Sequence, residues 1–335
     1  MSITVVLQQM VMIFILIGIG ILLYKKEMLS EVTAKQISGI IVNVTNPALL
    51  ICSAFRDGPK VSLKELGNAL GIYLIVYTVL IVVSFLIPRI LRVPGMYHYA
   101  YQMLTIFGNV GFIGIPLASA VLGTQSLIFV SIYNLIFNIL IYTFGISVLQ
   151  RAEARQIQIS ASESTLLPDP SQKSNLSQDT ISAHSTSQRW KKLVNAGTIS
   201  AAATIIFYLG DFHVPVIVSS TLTYMGQATT LLSMLVLGVS VAQMAPKDIF
   251  SHPKLYGFTL LRQILVPIGC IVLFRPLIRN PLILNTMALM LAVPAANMPL
   301  MLSKQLHVET DTISQGIILT TILSLGTIPV VSLFL

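Results

Sequence analysis

Phe107-Gly108-Asn109-Val110-Gly111-Phe112-Ile113-Gly114-Ile115-Pro116 puts three glycines, an asparagine and a proline into ten residues, near the middle of a 27-residue apolar run, Tyr97–Gly123. A run of that length crosses a bilayer as a helix. Gly111 and Gly114 weaken the helix, and Pro116 removes an N–H and clashes with the turn before it. In lipid no water replaces the lost bonds, so the freed backbone groups must face protein or a watery cavity. The stretch therefore predicts a transmembrane helix broken at its centre. Gly108, Gly111, Gly114 and Pro116 are the breaking residues, and Asn109 sits at the break.

A second stretch matches it. Ala292-Val293-Pro294-Ala295-Ala296-Asn297-Met298-Pro299 lies inside the apolar run Pro281–Leu306, with Pro294 and Pro299 flanking Asn297. Proline and small-residue kinks also serve plain packing, but paired interruptions in corresponding spans are the sequence mark of a transporter's binding site. A half-helix N-terminus presents free N–H groups and a positive dipole end, which favours an anion. Asn109 and Asn297 can donate to a carboxylate without placing a charge in the membrane.

Working outward, the whole chain reads as an all-α integral membrane protein. Its 335 residues are 55% hydrophobic and 10% charged, with mean hydropathy +0.84. A soluble domain carries about 25% charged residues, so lipid must be the solvent for most of this chain. Runs without period-2 alternation select helices over a barrel. Ten spans follow: Ile3–Tyr24, Thr33–Phe55, Leu63–Leu91, Tyr97–Gly123 and Gln125–Gln150, then Leu193–Asp211, Val216–Met244, Leu255–Leu277, Pro281–Leu306 and Thr310–Leu335. The first run begins directly after Met1-Ser2 without a basic leader, so it is expected to stay as a span. Between the halves, Arg151–Lys192 is rich in Ser, Gln, Asp and Asn and is expected to be a flexible cytoplasmic linker. Residues 1–150 and 193–335 thus form two five-helix units, and an odd number of spans inserts the second upside down. Thr33 and Val216, Tyr97 and Pro281, and Gln125 and Thr310 start 183 to 185 residues apart. This predicts two inverted repeats, with the fourth and ninth helices broken in equivalent places. With the N-terminus outside, inner loops hold fourteen Lys and Arg and outer loops five, which favours N-out and C-out in the cell membrane. Arg262, the remaining basic residue, is expected to snorkel from the inner end of the eighth span.

All twelve acidic residues fall outside the spans or at their edges. A cation antiporter normally carries a carboxylate at mid-membrane, so the expected site is an uncharged polar pocket. Further polar candidates are Asn46 in the second span, Asn134 and Asn138 on one face of the fifth, and Gln227 and Thr230 in the seventh; interhelical hydrogen bonding is the plainer reading for each. Cys52 and Cys270 read as packing residues, and the five histidines lack ligand spacing. No metal, cofactor, nucleic-acid site or catalytic constellation is expected, so the chain does not read as an enzyme. The net charge of +8 reads as a topology signal.

The Gly108–Pro116 stretch followed by Leu117–Gly123, the segment Asn46-Pro47-Ala48-Leu49-Leu50, the segment Leu235–Gln243, and Pro294–Asn297 with its Leu-rich tail together resemble the auxin efflux carrier family, whose bacterial members include malate and malonate permeases. The resemblance implies an elevator carrier acting as a homodimer. Helices 1, 2, 6 and 7 would form the scaffold, and helices 3–5 and 8–10 the moving transport domain. It implies that the broken fourth and ninth helices cross at the substrate site, with Asn109 and Asn297 on the carboxylate and Pro116 and Pro294 as breakers. Thr230-Leu231 departs from the family's tendency to place a proline in the seventh span. The expected function is secondary transport of small mono- or dicarboxylates such as malate. A non-transporting membrane sensor and a sodium-coupled organic-anion symporter are the alternatives.

Overall fold

The computed structural model describes residues 3–55, 61–164, 196–210, 214–243 and 252–335. Among them every regular element is helical. In chain order we label α1 Ile3–Lys25, α2 Glu31–Ala54, α3 Leu63–Ile90, α4 His98–Ile106, α5 Ile115–Leu122, α6 Thr124–Gln158, α7 Ala196–Gly210, α8 Val216–Ala242, α9 Pro253–Phe274, α10 Pro281–Ala292, α11 Met298–Gln305 and α12 Asp311–Ser332. Seven of these, α1, α2, α3, α6, α8, α9 and α12, are long and apolar enough to cross a membrane, and α7, α10 and Val110–Leu122 are shorter apolar helices. The chain is a multi-pass membrane protein. Its exposed side chains on the long helices include Ile15, Leu22, Leu74, Ile75, Val272 and Leu273, a surface fit for lipid rather than water.

The helix ends follow from local chemistry. Ser62 accepts from the backbone N–H of Glu65 while the Glu65 carboxylate accepts from that of Ser62, a closed capping box that starts α3. Ser30 caps α2 through the Thr33 N–H. Four widened π-turns interrupt the helices: Ile41–Thr45, Val110–Gly114, Ile141–Gly145 and Leu261–Leu265. Three precede a proline by two residues, namely Pro47, Pro116 and Pro267. A helical proline clashes with the carbonyl four residues back. Those carbonyls belong to Asn43, Phe112 and Gln263, each inside its π-turn, so the extra residue per turn makes room for the ring. α8, with Thr230-Leu231 in place of a proline, runs unbroken.

The sequence places a linker directly after Gln150, but the helical backbone runs on past the end of α6 to Ser164. Good helix formers in Arg151-Ala152-Glu153-Ala154-Arg155 and no proline before Pro168 account for the extension. Residues 165–195, most of the expected linker, lie outside the described residues.

α1 lies along α8, α8 along α2, and α2 along α7. The α1–α8 contact is backbone on backbone. A Cβ on Gly238 would stand 2.3 Å from the Ile17 carbonyl oxygen, and one on Gly20 would stand 2.5 Å from that of Leu235. Only glycine fits at either place. In the rest of the molecule, Tyr73 and Tyr77 of α3 stand against Tyr133 of α6 with ring centroids 5.4 and 4.8 Å from it, all three buried, and the Tyr73 hydroxyl donates to the Ile283 carbonyl of α10.

Candidate functional site

The runs α4–α5 and α10–α11 are both interrupted, and the interruptions meet. After α4 the chain leaves the helix at Phe107 in an extended conformation, and after α10 it does the same at Val293. The Asn109 N–H donates to the Pro294 carbonyl at 2.7 Å, and the Ala296 N–H donates to the Phe107 carbonyl at 2.9 Å. Gly108 and Ala295 thus form an isolated antiparallel bridge, while the regular elements among the described residues are all helical. Each break satisfies the groups freed in the other, as membrane burial demands. The Ala295 N–H reaches a third element, donating to the Thr320 hydroxyl of α12 at 3.2 Å. Gly108 sits in close quarters, since a Cβ there would lie 3.0 Å from both Arg262 Nη2 and Val293 Cγ2, and those side chains would have to give way. At Gly114 the neighbour is the flexible Met290 thioether, also at 3.0 Å.

The two asparagines differ. Asn109 is buried; its Oδ1 accepts from the Phe112 N–H at 3.1 Å, capping the turn that leads into α5, while its Nδ2 is buried without a partner. Asn297 is half-buried at the N-terminus of α11, and its side chain makes no capping bond. One half-helix start is therefore capped internally and the other is open. Pro299 occupies the first turn of α11, where a missing N–H costs nothing, whereas Pro116 lies within the continuous helix Val110–Leu122, behind the π-turn that makes room for its ring.

The remaining candidates separate. Asn46 of α2 comes to the break: its Nδ2 donates to the Gly111 carbonyl at 3.2 Å, and its Oδ1 is buried and unpartnered. Gln227 and Thr230 of α8 line a cleft of about 240 Å³ together with Leu49, Pro116, Ser119 and Thr223. That size falls below the roughly 300–1,000 Å³ usual for drug-sized ligands and suits a small solute. Asn138 turns its Nδ2 back onto the Asn134 carbonyl within α6, at 2.8 Å, and both residues are buried. This within-helix bond is the packing arrangement rather than a free donor.

The structure corrects the reading of Arg262. The side chain does not snorkel; it is fully buried, the largest wholly enclosed residue described. It springs from the π-turn of α9, its Nε donates to the Thr105 carbonyl at 3.2 Å, and its Nη1 donates to the Leu291 carbonyl. Nη2 is unpartnered. A charge therefore stands beside the crossing, contrary to the expectation of a wholly uncharged pocket. The sequence carried one signal for it, an arginine inside the apolar run Leu255–Leu277 five residues before Pro267. No cluster of His, Cys, Asp or Glu able to hold a metal occurs among the described residues.

A family model described as "Membrane transport protein" matches residues 5–332. A comparison with curated proteins yields no match. A match over nearly the whole length joins the interrupted, mutually bonded spans in one conclusion: the chain belongs to the membrane transport protein family of auxin efflux carriers.

Proposed function

We propose that this chain is a secondary transporter of small organic anions, mono- or dicarboxylates such as malate, and that the carboxylate is held where the fourth and ninth spans cross. One observation carries the reading: the crossing brings together two half-helix N-termini and a buried, unpartnered amide donor, Asn109 Nδ2, with the uncapped Asn297 on the facing half-helix. Donors and positive helix ends without a protein carboxylate to satisfy them suit an anionic guest. The described acidic side chains, such as Glu65, Glu153 and Glu309, belong to the helix ends and extensions rather than to the crossing.

α1, α2, α7 and α8 run in contact in the order α1–α8–α2–α7, and α7 also packs on α6 of the second group, α3–α6 with α9–α12. We assign the first group as a scaffold that pairs two protomers, and the second as a transport domain sliding past it in an elevator motion. Two inverted five-helix repeats, with both termini outside the cell membrane, are the matching topology. Asn46 and the cleft at Gln227 and Thr230 then lie on the boundary between scaffold and transport domain.

The test is a melting-temperature screen of the purified protein against mono- and dicarboxylates, amino acids and indole acids, followed by counterflow in vesicles. A small carboxylate is expected to raise the melting temperature and to exchange across the membrane. Stabilisation without exchange would favour a sensor, and stabilisation by organic cations alone would overturn the anion reading.

A further inference from the structure

Four helix ends meet at the crossing. α4 and α10 arrive with their C-termini, and α5 and α11 leave with their N-termini. Each C-terminus carries a partial charge of about −0.5 and each N-terminus about +0.5. Left alone, such a crossing has a seat for a cation on its carbonyl side as well as one for an anion on its amide side. Discontinuous transporter helices do use half-helix C-termini and unwound carbonyls to coordinate coupling cations.

In this chain the carbonyl side is taken. Thr105 and Leu291 are the penultimate residues of α4 and α10, and the Arg262 guanidinium donates to both of their carbonyls. One fork thus closes the C-terminal ends of both arriving half-helices, and its unit charge offsets their summed partial charge of about −1. The ionisable groups around it are Tyr77, Tyr133 and Cys270, none of them a carboxylate. A buried guanidinium held only by neutral groups is costly, and an ionisable side chain kept inside a membrane protein at that cost marks a functional site. The π-turn ahead of Pro267 sets it in place, and Gly108, lacking a Cβ, lets its Nη2 approach the bridge.

We propose that Arg262 is a tethered internal cation: it fills the carbonyl seat that a free coupling ion would otherwise occupy, and leaves the amide ends of α5 and α11 to set a positive field for an anionic substrate. It acts through the helix ends it closes, so it is a positioning and specificity-determining residue rather than a substrate contact. The inference rests on the transport reading above, and it deepens it by assigning the source of the site's charge preference.

The experiment measures carboxylate affinity by calorimetry on the purified full chain, using the carboxylate found by the melting screen, for the natural protein, Arg262→Lys and Arg262→Ala. The natural protein is expected to bind equally well in sodium and in choline chloride. Arg262→Ala should lose on the order of tenfold or more in affinity, the scale of a strong helix-end charge effect. Added guanidinium ion, or sodium, should restore binding in that variant alone, and Arg262→Lys should retain most of it. A merely structural strut predicts the reverse: both variants weakened alike, with no rescue by a small cation, and that result overturns the proposal. Sodium-dependent binding by the natural protein overturns it without any variant, which covers the case in which Arg262→Ala does not fold. If the natural protein binds no carboxylate at all, the transport reading fails first, and independently.

Discussion

Replacing Asn109 by alanine separates stability from binding, because the residue's two amide atoms act in opposite directions. Its Oδ1 caps the Phe112 N–H, and loss of such a cap costs about 1 kcal/mol. Its Nδ2 is buried without a partner, and an unsatisfied buried donor costs about 1–3 kcal/mol. Alanine removes the benefit and the penalty together, so the unliganded Asn109→Ala protein should be as stable as the natural one, or slightly more stable. Binding follows a different course. A hydrogen bond to a charged carboxylate contributes about 1.5–3 kcal/mol, so its loss should weaken Kd by roughly 10- to 150-fold. The assay pairs a melting curve without ligand with calorimetric titration of the stabilising carboxylate. Asn109→Asp sharpens it: the capping oxygen stays, but the donor is replaced by a negative charge facing the incoming anion, so binding should disappear while the helix start persists. If either variant binds with the natural affinity, Asn109 Nδ2 does not serve the substrate and the argument from its missing partner fails.

Four further outcomes are expected. Gly238→Ala brings a Cβ to 2.3 Å from the Ile17 carbonyl where ordinary contact begins near 3.4 Å; α1 and α8 must part by about 1 Å, at a cost of roughly 1–3 kcal/mol in stability, read as a lower melting temperature. Gly269→Ala in α9, with nothing within 4 Å, is the matched control and should be neutral or stabilising by up to about 1 kcal/mol. Asn138→Leu removes only a bond within α6, so carboxylate affinity should change less than about twofold; a large loss would return Asn138 to the site. Asn46→Ala breaks the bond to Gly111 that joins α2 to the crossing, and about 1 kcal/mol released there should shift the alternating-access equilibrium about fivefold away from the present arrangement. A changed labelling rate of a cysteine introduced at Ser119, in the cleft, would report that shift.

Much of the architecture was legible because its causes are local. Glycine and proline break helices wherever they fall, so the interruptions at Gly108–Pro116 and Pro294–Pro299 could be read without knowing any neighbour. Apolar run length marks a span in the same way. The role of Arg262 could not be read, because its carbonyl partners belong to residues 157 and 29 positions away and come together only when α4, α9 and α10 pack. A rule that arginines near span ends snorkel is sound for lipid-facing helices and fails for one that faces the crossing. Asn46 and Asn138 looked alike as polar residues in apolar runs. One reaches 65 positions along the chain to Gly111 and the other stops at its own preceding turn, a distinction that only tertiary packing makes. The helical continuation through Arg151–Ser164 was missed for another reason: polarity argued for a linker, although the same residues are good helix formers.

The most direct measurement is the position of a bromine-labelled dicarboxylate, such as bromosuccinate, located by its anomalous scattering in crystals of the full chain. A peak is expected at the crossing, with carboxylate oxygens in hydrogen-bonding range of Asn109 Nδ2 and of the open α11 start at Asn297. Ordered bromine elsewhere, with the crossing empty under saturating ligand, would contradict it.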